Sequence, residues 1–408
     1  MNVLFLSTKS PYPLISGHSL RTYHTLRDAA RRHDVTFVTF IQHPEHELKP
    51  EYIEHLKSFC KAVHTFLIPV DQSRTRLALA LGCNLLSYLP FVAAKYDAPD
   101  MRSKIREIIA TEKIDLVHVD MLPLSVYLDE FAGLPKILVN HNVESVRLQR
   151  WSESESNPLK RAFLRLQWHK LCRFEKEMIN RFDRCIAVSS VDRDMLAEMG
   201  ITTPIAVVPN GTDTEFFKPM GRPTIPNSVI WFGHMDVHTN RDAVLYFWRE
   251  IYSLLREKLP DVIVSFIGTS PPEEIVDAAN CDPNVLVTGF VDDIRPYVDE
   301  AAVIVVPIRI GSGTRLKILD AMAMGKAIVS TSVGCEGIDP VDGENICVAD
   351  TPEEFCDKIC QLISNSVLRT KIATNATNFA KAFDWRRITS VQEMVYQEAV
   401  GKGTSCEK

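Results

Sequence analysis

Short apolar runs rich in Val and Ile recur along the chain, each stopping at a glycine, a proline or a polar cluster. They read as strands at 1–7, 35–40, 116–119, 136–139, 185–189 and 206–209, and again at 229–232, 262–267, 285–289, 303–306 and 327–330. Runs this short, with little polar alternation, suit parallel strands covered on both faces. Between them apolar residues fall at helical spacing: Leu20, Tyr23, Leu26 and Ala30 after the first run, Leu245 and Trp248 after 229–232, and Leu316, Leu319 and Ala323 after 303–306. This alternation predicts an α/β chain of βαβ units. The segment 65–115 reads as mainly helical. The segment 147–184, basic and carrying Trp151, Phe163, Leu164, Trp168 and Phe174, reads as one long amphipathic helix.

A chain of 408 residues exceeds one core and suits two domains. The strand-glycine-helix arrangement at the start returns after 229, so two similar halves facing one cleft are expected. The first covers 1–206. The prolines Pro219, Pro223 and Pro226 mark 207–228 as a linker, and the second domain follows at 229–383.

Composition narrows the function. With 46% hydrophobic and 24% charged residues and a net charge of −6, neither a disordered chain nor a nucleic-acid binder is indicated. The ten cysteines form no CxxC pair and read as free thiols of a reducing cytosol rather than a zinc site. The first residues lack the basic flank of a signal peptide, and no run spans a bilayer. A cytoplasmic enzyme is expected. The basic, apolar stretches at 74–86 and 147–184 leave two readings open: helices packed on their own domain, or a peripheral contact with the inner face of a membrane.

The chemistry concentrates in 302–331, AVIVVPIRIGSGTRLKILDAMAMGKAIVST. Pro307 closes a strand. The loop Gly311-Ser312-Gly313-Thr314 can turn main-chain N–H groups towards an anion, and a helix starts directly after it, ending at Gly325. Arg315 and Lys317 add two charges beside the helix N-terminus, which is the arrangement of a diphosphate cradle. Asp320 falls at the edge of the buried stripe, where a carboxylate can accept from a pair of sugar hydroxyls. The plain alternative is a Lys317–Asp320 pair on a solvated face. A second polar cluster, Asn140-His141-Asn142-Val143-Glu144, lies just past an apolar strand, as does Asp120, where an open parallel sheet binds ligands.

The 302–331 stretch resembles the signature segment of retaining, nucleotide-sugar-dependent glycosyltransferases of family 4. Within that family it is most similar to bacterial exopolysaccharide enzymes carrying G-S-G-T-R-L-K-I-L-E-A-M-A-M-G. The resemblance implies the GT-B architecture, two doubly wound Rossmann-like domains facing a cleft, with 384–408 as a helix crossing back to the first domain. The wider family has two glutamates at the positions of Ser312 and Asp320. Here the second keeps its carboxylate on a shorter arm and the first has lost it. The resemblance also implies that Gly17 and Arg21 lie against the donor phosphates, that His141 contacts the donor sugar with Glu144 beside it, and that Gly233 begins the matching turn of the second domain. Relatives have a basic residue directly after that glycine. Here it is His234, and Arg241 is the candidate to supply the charge. Phe290 and Val291 would hold the nucleotide base through main-chain groups. Without the family, Gly17 reads as a turn residue and Arg21 as a solvated helix residue.

The function so implied is transfer of a sugar from a nucleoside diphosphate sugar to an acceptor hydroxyl in bacterial polysaccharide or glycoconjugate synthesis. His141, Arg315 and Lys317 are the catalytic candidates. Gly311, Ser312, Gly313, Thr314 and Asp320 bind donor. No metal and no cofactor beyond the substrate is implied, and the acceptor, lipid-linked or oligosaccharide, is open. Two alternatives remain at this point: a nucleotide-sugar epimerase on the same fold, and a non-catalytic nucleotide-sugar-binding protein, which the missing glutamate at Ser312 would suit.

Overall fold

The computed structural model describes residues 1–14, 16–42, 48–311 and 314–403. The chain divides into two compact units, Met1–Pro209 with Ile388–Lys408, and Asn210–Arg387. The segment 210–228, read above as a linker, is thereby counted with the second unit.

The first unit is built on seven parallel strands: β1 (Asn2–Ser7), β2 (Asp34–Ile41), β3 (Ala62–Leu67), β4 (Leu116–Asp120), β5 (Lys136–Val139), β6 (Arg184–Ala187) and β7 (Ile205–Val207). Their order is β3-β2-β1-β4-β5-β6-β7. The apolar runs are buried almost throughout because helices cover both faces. The order reverses between β1 and β4, where Ser7 lies in register with Asp120, and an open α/β sheet offers its ligand crevice at such a switch point. β3 falls at the start of the segment read as helical. None of its residues is buried, so it lacks the continuous apolar signal of the inner strands. The basic segment forms two helices, Glu144–Ser154 and Pro158–Ile179. The break comes at Pro158, which opens the second helix behind the Asn157 cap.

The second unit has six parallel strands: β8 (Ser228–Phe232), β9 (Ile263–Ile267), β10 (Val285–Gly289), β11 (Val303–Val306), β12 (Ala327–Ser330) and β13 (Cys347–Val348), in the order β10-β9-β8-β11-β12-β13. Alternate residues feed two cores. Val229, Trp231, Val303 and Val305 enter one, while Ile230, Phe232, Ile304 and Val306 enter the other. The order reverses between β8 and β11, so this unit's switch point lies at Gly233 and the loop after Val306. Helix Leu316–Ala323 buries Ile318, Leu319, Ala321, Met322 and Ala323, whereas Leu316, expected in the stripe, is half-buried at the helix's first position. Among the described residues no helix is long and apolar enough to cross a membrane.

The strand ends of this unit meet through glycine. Gly233, Gly268 and Gly289 have φ of +145°, +137° and +66°, and Gly268 N donates to Gly289 O at 3.1 Å. A Cβ on Gly268 would stand 1.9 Å from Gly233 O. Gly221, with φ +78° and nothing within 4 Å of a built Cβ, carries the conformational strain without the clash. In chemical denaturation Gly268→Ala is therefore expected to cost at least about 2 kcal/mol more than Gly221→Ala, since a backbone collision adds to the strain of a positive φ. Equal losses for the two variants would contradict this close packing.

Candidate active site

In the second unit, β8 delivers Trp231 and Phe232 to the switch point, and helix Leu316–Ala323 delivers Lys317 to the same place. Lys317 Nζ donates to Phe232 O at 2.8 Å, lies 3.4 Å from Asn240 Oδ1 and stands 4.2 Å above the Trp231 ring. The contact is a cation over an aromatic face. Removal from water, and secondarily Arg315, pull its pKa down to about 7. A Cβ at Gly233 would fall 2.8 Å from Nζ, so the glycine is what admits the ammonium. The same logic holds at Gly311, φ +117°, where a Cβ would meet Arg315 Nη2 at 2.6 Å. Burial also lowers the Arg315 pKa, opposed by Glu336. Thr314 Oγ1, at the head of the helix, is buried without a hydrogen-bond partner among the described residues. Two cations, an unsatisfied hydroxyl and a helix N-terminus thus converge within one unit, an arrangement suited to an anion. Ser312 and Gly313, expected in this cradle, lie outside the described residues.

Asp320 does not pair with Lys317. Its Oδ1 accepts from Thr212 Oγ1 at 2.7 Å, and desolvation raises its pKa to about 7, with Thr212 opposing and Asp213 adding to the rise. One carboxylate oxygen is therefore committed within the protein. Arg241 is exposed on helix His238–Tyr246. The neighbour that turns towards Gly233 is Asn240, which donates to His234 O at 2.8 Å. His234 Nδ1 lies 2.8 Å from Thr269 Oγ1. Directly after β10, Phe290 is 72% exposed, while Val291 packs against the core.

The first unit gathers a different set at its own switch point. His141 Nε2 lies 2.7 Å from Asp120 Oδ1. Asp120 Oδ2 accepts from Thr22 Oγ1 at 2.6 Å and Ser7 Oγ at 3.3 Å. Burial would raise the Asp120 pKa, but His141 beside it holds the carboxyl well below the usual carboxylate range. The His18 ring sits 4.6 Å from that of His141, and burial, reinforced by His141, lowers its pKa to about 3. Gly17 is exposed at the start of helix Gly17–Arg32, next to the Ser16 cap.

Arg21 departs from the reading as a solvated helix residue. It is buried, not solvated, donating from Nη2 to Val208 O at 2.8 Å and from Nη1 to Pro209 O at 3.0 Å. Its spacing from Gly17 placed it on the helix, and only the path of residues 208–209 decided which way it points. Glu144 is also buried. Its Oε2 accepts from Arg147 Nη2 at 2.7 Å.

Sequence reasoning missed Glu175, whose carboxylate takes the main-chain N–H groups of Glu144 and Ser145 at 2.9 and 3.1 Å. It thereby caps helix Glu144–Ser154, which has no side-chain cap of its own. Nothing near residue 144 in sequence signals that partner. Asn240, Thr212 and Trp231 were missed for the same reason. Asp120 had a signal, its place at a strand end.

Two family models match the chain, Glycosyltransferase Family 4 over residues 15–216 and Glycosyl transferases group 1 over residues 226–365. An uncharacterized 44.6 kDa protein of the cps region of Klebsiella pneumoniae is 23% identical over 404 residues, covering 95% of this chain and 98% of its own. Among solved structures, sucrose-phosphate synthase from Thermosynechococcus elongatus superposes with a TM-score of 0.71 at 15% identity, covering 98% of this chain and 100% of its own. Anabaena HepE in complex with UDP gives 0.66 at 16%, covering 97% and 100%.

Because its pKa is raised, Asp320 favours folding fully below its unfolded value, and that contribution is lost as pH rises towards 7. Asp320→Asn keeps an acceptor for Thr212 and has no proton to lose. The variant's stability relative to the parent is expected to increase between pH 4.5 and pH 8 by about 1–2 kcal/mol, discounted for partial exposure. A pH-independent difference in melting temperature would show that Asp320 is not desolvated.

Proposed function

The chain belongs to the family 4-like glycosyltransferases of GT-B fold, and from that premise we propose that it is a retaining enzyme moving a sugar from a nucleoside diphosphate sugar to an acceptor hydroxyl in bacterial polysaccharide or glycoconjugate synthesis. The observation that carries the reading is the Lys317 ammonium, held over Gly233 with no carboxylate partner among the described residues. A diphosphate supplies the missing negative charge. Its arrival returns Lys317 to the fully charged form, and Arg315 and the N–H groups at the helix start share the load as charge develops on the leaving group. Phe290 offers an exposed face and adjoining main chain to the base. The Asp320 oxygen not bound by Thr212 can accept from a ribose hydroxyl.

In the first unit His141, oriented by Asp120, is suited to a hydrogen bond with a sugar hydroxyl. No covalent nucleophile is assigned. The acceptor oxygen bonds to the anomeric carbon on the face from which the diphosphate leaves, and the departing diphosphate takes the acceptor proton. HepE, which shares the fold, has been solved with UDP-glucose, and that lends support to a nucleotide-sugar donor here. The cps-region setting of the Klebsiella relative supports a surface-polysaccharide role.

With Lys317 at about 7 in the free protein, UDP binding at pH 8 should take up close to one proton, read from the dependence of calorimetric enthalpy on buffer ionisation. Lys317→Met should abolish the uptake and lower turnover at saturating donor by about tenfold or more. Uptake unchanged in the variant would remove Lys317 from the diphosphate site.

Charge neutralisation by Lys317 and Arg315 makes a divalent cation unnecessary. The Asp-x-Asp pair at 192 and 194 is engaged elsewhere: Asp192 Oδ2 accepts from Ser189 Oγ at 2.6 Å, and Asp194 Oδ1 accepts from Arg193 at 2.8 Å. Activity is expected to persist in excess EDTA, and full loss restored by manganese or magnesium would refute the metal-free reading.

A further inference from the structure

The first unit carries an open cavity of about 350 Å³ lined by His18 and Glu144 among others, with the His18 ring against that of His141. Its volume lies at the small end of ligand pockets, the size of a sugar rather than of a nucleotide. Val92, Tyr96, Met121 and Pro123 give part of its lining an apolar character. Met121 holds φ +91°, a conformation that side chains other than glycine avoid. Such strain is retained where surrounding structure imposes it, commonly at ligand sites.

The rest of the lining is polar or charged. Glu144 is only 3% exposed; Oε2 is bound by Arg147, but Oε1 is buried with no hydrogen-bond partner among the described residues. His18 Nε2, on the same cavity, is likewise unpartnered. A buried carboxylate oxygen left unsatisfied is costly, and a hydroxyl donated by a ligand removes the cost. Among the described lining residues Glu144 is the one carboxylate, and Lys95 and Arg147 are basic groups on the same cavity. Lys95 lies 4.7 Å from the Tyr96 ring and makes no ion pair with any described residue. Asp71 and Arg147 act on it only at longer range, in opposite senses. The cavity therefore offers an acceptor and an imidazole for hydroxyl groups, apolar surface for ring C–H groups, and, among the described lining residues, more basic than acidic groups.

We propose that this cavity is the acceptor subsite and that it selects a sugar bearing an anionic group, a carboxylate or a phosphate, with the anion at Lys95 and a ring hydroxyl on Glu144 Oε1. The proposal rests on the transferase reading above and adds the chemical class of the acceptor, which that reading leaves open.

The test titrates glucuronate, glucose 6-phosphate and glucose into the full chain at low ionic strength, followed by saturation-transfer NMR. At least one anionic sugar should bind about fivefold or more tightly than glucose. Lys95→Gln should reduce that sugar to the level of glucose, and Glu144→Gln should weaken all three. Preference for glucuronate assigns the anion as a carboxylate, and preference for glucose 6-phosphate as a phosphate; either supports the inference. Glucose binding as tightly as both anionic sugars, or a preference that survives Lys95→Gln, overturns it. UDP is titrated into the same samples. Loss of the anion preference with UDP binding intact removes only the acceptor class, whereas absence of UDP binding removes the transferase reading itself.

Discussion

A lysine ammonium taken out of water without a carboxylate to pair with sets the terms on which the second unit is built. Such a group is expensive to bury. The protein meets the cost with neutral partners, the Phe232 carbonyl, the Asn240 amide oxygen and the Trp231 ring face. Room for the ammonium requires that Gly233 have no side chain, and the path of Gly233 in turn requires that Gly268 have none. One electrostatic demand thus propagates through the ends of two strands. It also leaves the ammonium only loosely protonated, so that an arriving anion is met by a group whose charge it completes.

The first unit solves the opposite problem at the corresponding place in its sheet. There the buried charge is negative. Asp120 is surrounded by Ser7 and Thr22 hydroxyls and by the His141 ring, and His141, with His18 and His118, outweighs the desolvation that would otherwise neutralise it. The consequence for His141 is orientation: Nε2 is committed to Asp120, which leaves Nδ1 as the atom available to another partner. Arg21, by holding the carbonyls of residues 208 and 209, ties the first helix to the end of the unit.

Glu144 and Glu175 show how a site residue is held by one that is not in the site. Glu175 accepts two main-chain N–H groups at the start of helix Glu144–Ser154 and is itself raised to about 7 by burial, with Glu144 contributing to the rise. Two carboxylates close together in a buried place would normally separate or share a proton. Here the helix start takes one and Arg147 takes the other, so the Glu144 side chain has a fixed direction.

The chain's apolar runs and the glycines and polar clusters that end them were enough to place eleven of the thirteen strands among the described residues, and the two similar halves, because a strand buried on both faces writes itself as consecutive Val, Ile and Leu. β3, with no buried residue, and the two-residue β13 write no such signal. Local sequence likewise located Lys317, Asp320 and His141, since a charge beside a glycine turn or a strand end is visible within a few residues. What each side chain does there was not visible. Lys317 and Asp320, three positions apart, face Phe232 and Thr212 instead of each other, and Arg21 meets residues nearly half the chain away. A charged group near the interior satisfies itself with whichever dipole the fold brings within about 3 Å, and that partner is set by how strands and helices pack, which no spacing along the chain records.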